Sequence, residues 1–348
     1  MHYYGTYALA RAAGIKPEAA QIIASASQFV DDNAKKENID FTDKACLISR
    51  PTAHHCEDVK NILPDDQRVV WVPFHFLPGG EGRTFNERIV CTQDSEIARK
   101  MVANHLSKTD KDFYQQLIGI TAHVYADTFS HYGFSGMSSD VNDVDTLSIE
   151  LVANADPNIF NNLKDKACHF LEKLKTGAAE FGSRKLGHGG VYTYPDQPFL
   201  KWNFKYENGT PSNRNNLQTF MDGSEAIYNL FRAACETDKS IYEGKHRNFS
   251  QIKASLQEIL SYPEHDEDKR CENWIKSFEN ETSNFTEGAE IMPEYLGDVW
   301  NGERKALDNN AHSSLILQSP VYNFYKAASY HRHFVLRDLL PKYDIVVA

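Results

Sequence analysis

Residues 117–131 read Leu-Ile-Gly-Ile-Thr-Ala-His-Val-Tyr-Ala-Asp-Thr-Phe-Ser-His and set His123, Asp127 and His131 four residues apart. On an α-helix each four-residue step turns about 40° past a full revolution and climbs about 6 Å. The three side chains therefore share one stripe, with the carboxylate between the imidazoles. A carboxylate so placed can bridge two cations while each histidine holds one, as in a two-metal hydrolytic centre. Leu117, Ile118, Ile120, Ala122, Val124 and Ala126 surround the stripe, and polar groups in an apolar setting need compensation. A solvated face on a surface helix is the ordinary alternative. It explains a single pair better than three ligand-type residues on a mostly apolar segment.

More donors are spread along the chain. His2 precedes an aromatic-rich segment, and Asp31 and Asp32 end the run Ser-Gln-Phe-Val-Asp-Asp. His54 and His55 stand together, His75 lies in Val-Pro-Phe-His-Phe-Leu-Pro-Gly-Gly, and His188 and Asp196 lie in Gly-His-Gly-Gly-Val-Tyr-Thr-Tyr-Pro-Asp-Gln-Pro. An acidic pair at a helix C-terminus opposes the helix dipole, which points to a cation or a basic partner. Each donor taken alone is a cap, a turn residue or a surface side chain. As a set, histidines and carboxylates suit zinc, or manganese or iron in its place.

The order of these residues carries a resemblance. An early His2, Asp31 or Asp32 at the end of the second helix, His75-Phe-Leu-Pro-Gly79 and the His123/Asp127/His131 helix resemble the zinc-dependent phospholipase C and single-strand nuclease superfamily. The resemblance implies an all-helical hydrolase with a cluster of two or three zinc ions. In it His2 is the early ligand, Asp31 (or Asp32) the bridging carboxylate, His75 the next histidine, and His123, Asp127 and His131 the helix ligands. The superfamily adds a later His-x-x-x-Glu/Asp pair, for which His188 and Asp196 stand in here. The chain departs from the pattern in its short Asp127-to-His131 interval without proline, and its first residues lack the basic-then-apolar order of a leader peptide, whose removal exposes the superfamily's N-terminal ligand, so no such exposure is expected here. The resemblance covers residues 2–200. Ser27-Gln-Phe-Val-Asp-Asp32 and Ala122-His-Val-Tyr-Ala-Asp-Thr-Phe-Ser-His131 are also similar to motifs of a bacterial family with no assigned activity.

The chemistry this implies is phosphoester hydrolysis. Cations stabilise hydroxide near neutral pH and offset charge on the phosphoryl oxygens during in-line attack. Asp31 or Asp32 would orient the water or act as general base. Arg184, Lys185 or Arg214 can steady a phosphate, and Tyr192, Tyr194, Phe199 and Trp202 can line a pocket; solvation and core packing are the plain alternatives. Phospholipid headgroup, nucleotide and nucleic acid all remain open as substrates.

Rival chemistries find less in the sequence. The one adjacent His-Asp pair, His265-Asp266, sits in an acidic stretch, and Glu243-Gly-Lys-His246 has no second copy to make a di-iron bundle. Cys56 beside His54 and His55 is only a neighbour in sequence. The alternative from another class is a helical binding protein with a structural metal or none.

The elements that must position these donors read as helices. Pro17 to Val30, Ser95 to Leu106, Asp112 to Phe129, Asp156 to Phe181, Leu217 to Cys235, Phe249 to Leu260, Lys269 to Phe285 and Val321 to Leu340 carry a helical apolar period. Arg68-Val-Val-Trp-Val-Pro-Phe is the best strand signal, and long loops are expected over 73–84 and 182–216. One all-α, multi-helix domain over 1–348 is expected, with the metal site in 1–200 and helices of 201–348 completing the bundle. Hydrophobic content of 41% in 348 residues is ample for a core. The net charge of −11 disfavours a general nucleic-acid backbone binder. No run reaches the length of a membrane span. With no signal peptide and six scattered cysteines, a cytoplasmic protein with reduced thiols is expected.

Overall fold

The computed structural model describes residues 1–54, 63–152, 186–264, 266–307, 310–317 and 319–347. Nine longer helices carry these residues: α1 (Tyr4–Ala12), α2 (Pro17–Asp32), α3 (Glu96–Leu106), α4 (Tyr114–Ser130), α5 (Asn216–Thr237), α6 (Phe249–Ser261), α7 (Glu267–Phe278), α8 (Gly297–Ala306) and α9 (Pro320–His333). Helix α2 starts where the sequence says it should, with Pro17 at the first helical position and Glu18 in the first turn.

Helix α4 is the centre of the molecule. It packs against α2, α5, α9 and α3, so it is buried on nearly every side. Leu117, Ile118, Ile120 and Val124 are fully buried, and each such burial stabilises by roughly 1.5–3 kcal/mol. That gain offsets the desolvation of the polar groups on the same helix. The α2–α4 contact depends on Gly119: a Cβ there would lie 2.3 Å from the Ile23 carbonyl oxygen and 2.7 Å from the Ala26 Cβ. The glycine lets the two backbones approach closely enough for donors on both to share one site.

The fold is mostly helical rather than purely all-α. Strands β1 (Glu37–Asp40) and β2 (Cys46–Ser49) form an antiparallel hairpin, and β3 (Val144–Leu151), β4 (Lys201–Tyr206) and β5 (Pro211–Asn215) an antiparallel sheet in that order. Strands β4 and β5 occupy part of the expected 182–216 loop. Trp202 and Phe204 alternate with exposed or half-exposed neighbours along β4, the period-2 pattern of a half-buried strand. These two rings join Phe76, Phe134, Val191, Tyr194 and Leu200 in a second, smaller core beside the main helical one.

The expected strand at 68–74 is also corrected. Pro64–Asp66, Gln67–Trp71 and Val72–Phe74 run end to end as helix, the middle piece wound as a π-helix. A short apolar run does not distinguish strand from buried helix by period alone, and Pro73 falls in a first helical turn, where it costs no hydrogen bond. The long C-terminal helix expected over Val321 to Leu340 is α9 continued by a π-helical stretch, Phe334–Leu339. Its aromatic stripe is core: Phe324, Tyr325 and Phe334 are buried. The expected 156–181 helix lies outside the described residues.

Candidate metal centre

Eight donors from distant parts of the chain meet at one place. They sort into three groups whose ligand atoms lie within 4.8 Å of one another: His2, Asp31 and His123; His75, His123 and Asp127; and His131, His188 and Asp196. All eight residues expected as ligands from the sequence are therefore brought together.

Helix α4 supplies His123 and Asp127, and His131 caps its C-terminal end. Asp31 comes from the last turn of α2, and His2 from just before α1, its ring stacked on His123 at 4.0 Å between centroids. His75 follows the helical piece Val72–Phe74. His188 precedes the short 3₁₀ turn Gly189–Val191, and Asp196 ends a second one, Tyr194–Asp196. Gly187 sets this loop with φ +55°, and a Cβ there would fall 2.3 Å from the Phe76 ring. That close approach explains why a glycine precedes His188.

The middle group has a measurable shape. His75 Nδ1 to Asp127 Oδ2, His123 Nε2 to Asp127 Oδ2, and His123 Nε2 to His75 Nδ1 are each 3.3 Å. A tetrahedral ion with ligands at about 2.0–2.1 Å separates neighbouring donors by about 3.3–3.4 Å. The three atoms thus outline one face of such a site. Asp31 Oδ1 lies 3.8 Å from both His75 Nδ1 and His123 Nε2. Asp127 turns its other oxygen, Oδ1, to His2 Nε2 at 3.3 Å, so one carboxylate spans two groups. In the third group His131 Nε2 is 3.1 Å from Asp196 Oδ1, and His188 Nε2 is 3.6 Å from Asp196 Oδ2.

Backbone carbonyls hold the imidazoles in place. His123 Nδ1 donates to the Ser27 carbonyl at 2.9 Å, and His75 Nε2 to that of Thr52 at 2.8 Å. His131 Nδ1 donates to the His75 carbonyl at 2.9 Å, and His188 Nδ1 to that of Tyr192 at 2.6 Å. A carbonyl only accepts, so in each ring that nitrogen carries the hydrogen. In the neutral imidazole the other nitrogen then turns a lone pair to the centre. Such outer hydrogen bonds orient metal-ligating histidines and raise their basicity. The carbonyls themselves leave no trace in the sequence, because every residue has one.

The lone pairs of His75 Nδ1 and His123 Nε2 would face each other at 3.3 Å, with nothing between to attract them. Asp127 Oδ2 is buried, and among the described residues no donor meets it in hydrogen-bond geometry. A cation among the three satisfies all of them at once. The donor set therefore fits a divalent metal, and its N/O chemistry suits zinc, manganese or iron.

Electrostatics around Asp127 follow from burial and charge. Burial pushes its carboxyl pKa up, but His131 and His123 outweigh that and hold it well below the usual carboxylate range. Burial pulls His131 down, and Asp127 and then Asp196 reverse this, leaving it at about 9. Burial lowers His188 despite Asp196, and Asp196 itself is lowered by His188 and His131 against its own desolvation.

Other expected residues lie elsewhere. Asp32 accepts from the Tyr295 hydroxyl at 2.6 Å and sits outside the three groups. Burial raises its pKa, opposed by Tyr295 and Gln28. The pocket role expected for Tyr194 and Trp202 is corrected: both are buried in the second core, with Trp202 fully enclosed and its Nε1 donating to Asn216. Large aromatic area is worth more inside that small core than at a pocket wall. Arg214 is likewise buried, stacked 3.6 Å over the Tyr132 ring. His54 is buried near Asp66, apart from the cluster. Arg184, Lys185, His55, Cys56 and His265 lie outside the described residues.

Among the described residues no helix is long and apolar enough to cross a membrane. No curated protein and no solved structure matches the chain. One family model spans residues 1–339, every donor of the centre included, and the chain accordingly belongs to the family of unknown function DUF6765.

Proposed function

We propose that this protein is a metal-dependent phosphoester hydrolase, with zinc the first choice of metal. The observation that carries the reading is the 3.3 Å triangle of His75 Nδ1, His123 Nε2 and Asp127 Oδ2. Two more donor groups lie beside it, giving room for two or three ions. The resemblance in residue order to zinc-dependent phospholipases C and single-strand nucleases supports the same reaction class.

His75, His123, Asp127, Asp31 and His2 would hold two positions, and His131, His188 and Asp196 a third. Divalent ions at such positions polarise a phosphoryl oxygen and make a nearby water acidic enough to attack at neutral pH. The chain's own residues do the rest. The carbonyl-locked imidazoles keep their donor nitrogens aimed inward without rearrangement during the reaction. Asp127 is buried with nitrogens of four histidines within 3.7 Å, so it serves as a fixed anion rather than a proton acceptor. Asp31, whose side chain is 39% exposed at the rim, is the carboxylate placed to take a proton from the attacking water. Asp32 is held by Tyr295 instead.

The test is metal content per chain by elemental mass spectrometry, on protein purified without chelator or nickel affinity. Two or three ions per chain, with release of nitrophenol from bis(p-nitrophenyl) phosphate that stops on chelation, are expected. No metal after purification and none taken up on reconstitution would sink the reading and leave a helical binding protein.

A further inference from the structure

The metal centre opens beside a pocket. Asp196 belongs to both. Tyr4 and Gln28 form one side of the pocket, next to His2 and one turn before Asp32. Arg270 and Trp274 of α7 also line it, with Phe220 and Tyr262 adding further apolar surface. Its volume is about 120 Å³. Two roomier hollows, of about 360 Å³ near Glu290 and about 640 Å³ near Arg337, contain none of the eight donors.

Arg270 is the unusual member. Its Nη1 donates to Gln197 Oε1 at 2.5 Å and to the Glu264 carbonyl at 3.3 Å. Both acceptors are neutral, and both are met by the same nitrogen. Glu267 lines the same pocket, yet no carboxylate among the described residues bridges the guanidinium. A half-buried arginine whose Nη2 and Nε meet no acceptor among the described residues presents a planar fork to the pocket. Such a fork matches an oxyanion bidentately. Gln197, which holds it, directly follows Asp196, so the fork is tied to the edge of the metal centre.

Size limits what accompanies the anion. A cavity of about 150 Å³ accommodates one benzene, so this smaller pocket takes at most a single ring and not a pair of acyl chains or a stack of bases. Tyr4 and Trp274 supply the aromatic surface on which a ring packs. We infer that this pocket is the substrate subsite of the proposed hydrolase, taking a phosphoester that carries one planar ring, with Arg270 gripping the phosphoryl oxygens at the border of the metal centre. The inference rests on the hydrolase reading for the nature of the anion.

The experiment is calorimetric titration of the metal-loaded full chain with phenyl phosphate, methyl phosphate and inorganic phosphate. The wild type should bind phenyl phosphate at least about tenfold more tightly than methyl phosphate, with a change in tryptophan fluorescence. Arg270→Gln should weaken all three by on the order of tenfold or more while retaining its full metal content. Arg270→Lys, which keeps the charge without the fork, should fall between. Equal binding of phenyl and methyl phosphate, or unchanged affinity in Arg270→Gln, would overturn the subsite. If metal and turnover persist in that case, the hydrolase reading stands without it. A protein with no metal that still binds phenyl phosphate through Arg270 would separate the two in the other direction.

Discussion

Replacing Asp127 by asparagine keeps the side chain's shape and removes one buried charge. In the wild type its two oxygens lie 3.3 Å from nitrogens of His2, His75 and His123 and 3.7 Å from Nδ1 of His131. The variant takes the only anionic corner from the 3.3 Å triangle, so elemental analysis should show at least one ion per chain lost. The chelated protein gives an independent readout. There, burial lowers the His131 pKa, while Asp127 first and Asp196 second raise it, to about 9. A rise from 6.5 to about 9 corresponds to about 3.4 kcal/mol. Because the folded pKa is raised, that stabilisation is fully present below about pH 6.5 and is lost as pH climbs through 9. Asparagine removes the larger of the two attractions. Urea unfolding of chelated Asp127→Asn should therefore show a deficit of about 2–3 kcal/mol at pH 6 that shrinks markedly by pH 9.5. Its far-ultraviolet helical spectrum should stay largely intact. Unchanged metal content, or a deficit that does not vary with pH, would refute the assignment of Asp127 as the shared anion.

Asp196→Asn should cost one ion per chain and leave the ions at the triangle, since Asp196 meets only His131 and His188 among the donors; loss of every ion would mean the groups load as one unit. Buried His331 titrates near 4, held down by burial against its hydrogen bond to the Pro73 carbonyl. Its lowered pKa means stability is complete above about pH 6.5 and falls by about 3.4 kcal/mol as pH drops toward 4, and His331→Gln should flatten that acid slope in the chelated protein. Gly119→Ala drives a methyl to within 2.3 Å of the Ile23 carbonyl; an overpacking cost of about 1–3 kcal/mol is expected, together with weaker metal retention as α2 and Asp31 move away from α4. Full metal content in a destabilised Gly119→Ala would show that the helix spacing does not govern the site.

Much of this was legible in the residues, for identifiable reasons. Helix α4 carries a long apolar period and three ligand-type side chains at four-residue steps, so both the element and its stripe could be read directly. Asp31 stood out because an acidic helix end is costly without a cation. What could not be read was anything made by backbone: the Ser27, Thr52, His75 and Tyr192 carbonyls that aim the imidazoles depend on how loops return to the core. Strands β4 and β5 are hard to read because they are short and interrupted by polar residues, and Trp202 of β4 reads as a pocket aromatic. The choice between Asp31 and Asp32 turned on Tyr295, more than 260 positions away, whose hydroxyl claims Asp32. Arg270 had no local signal, since its meaning lies in nearby carboxylates that, among the described residues, form no ion pair with it.

The two ends of the centre differ in what replaces an absent ion. At the third group a proton can do so: an imidazolium at His131 donates to Asp196 on one side and to the His75 carbonyl on the other. This join lies between the main helical core and the smaller aromatic core, where Phe76 stacks on His131 at 4.8 Å. Metal and proton therefore compete for one structural task, linking α4 to the loop that leads into β4. At the triangle the neutral imidazoles offer no such donor: Asp127 Oδ2 has no hydrogen-bond partner among the described residues, and two locked imidazoles point at each other. An ion there relieves a conflict that a proton on His131 cannot reach. Any ligand bound only by the folded state stabilises it, by about 2.7 kcal/mol at a hundredfold excess over Kd. For this fold that gain should be steep in pH at the His131 end, where a proton must leave before a metal enters. The triangle stands apart: its anion is already ionised, and its inward nitrogens are free of protons once the imidazoles are neutral.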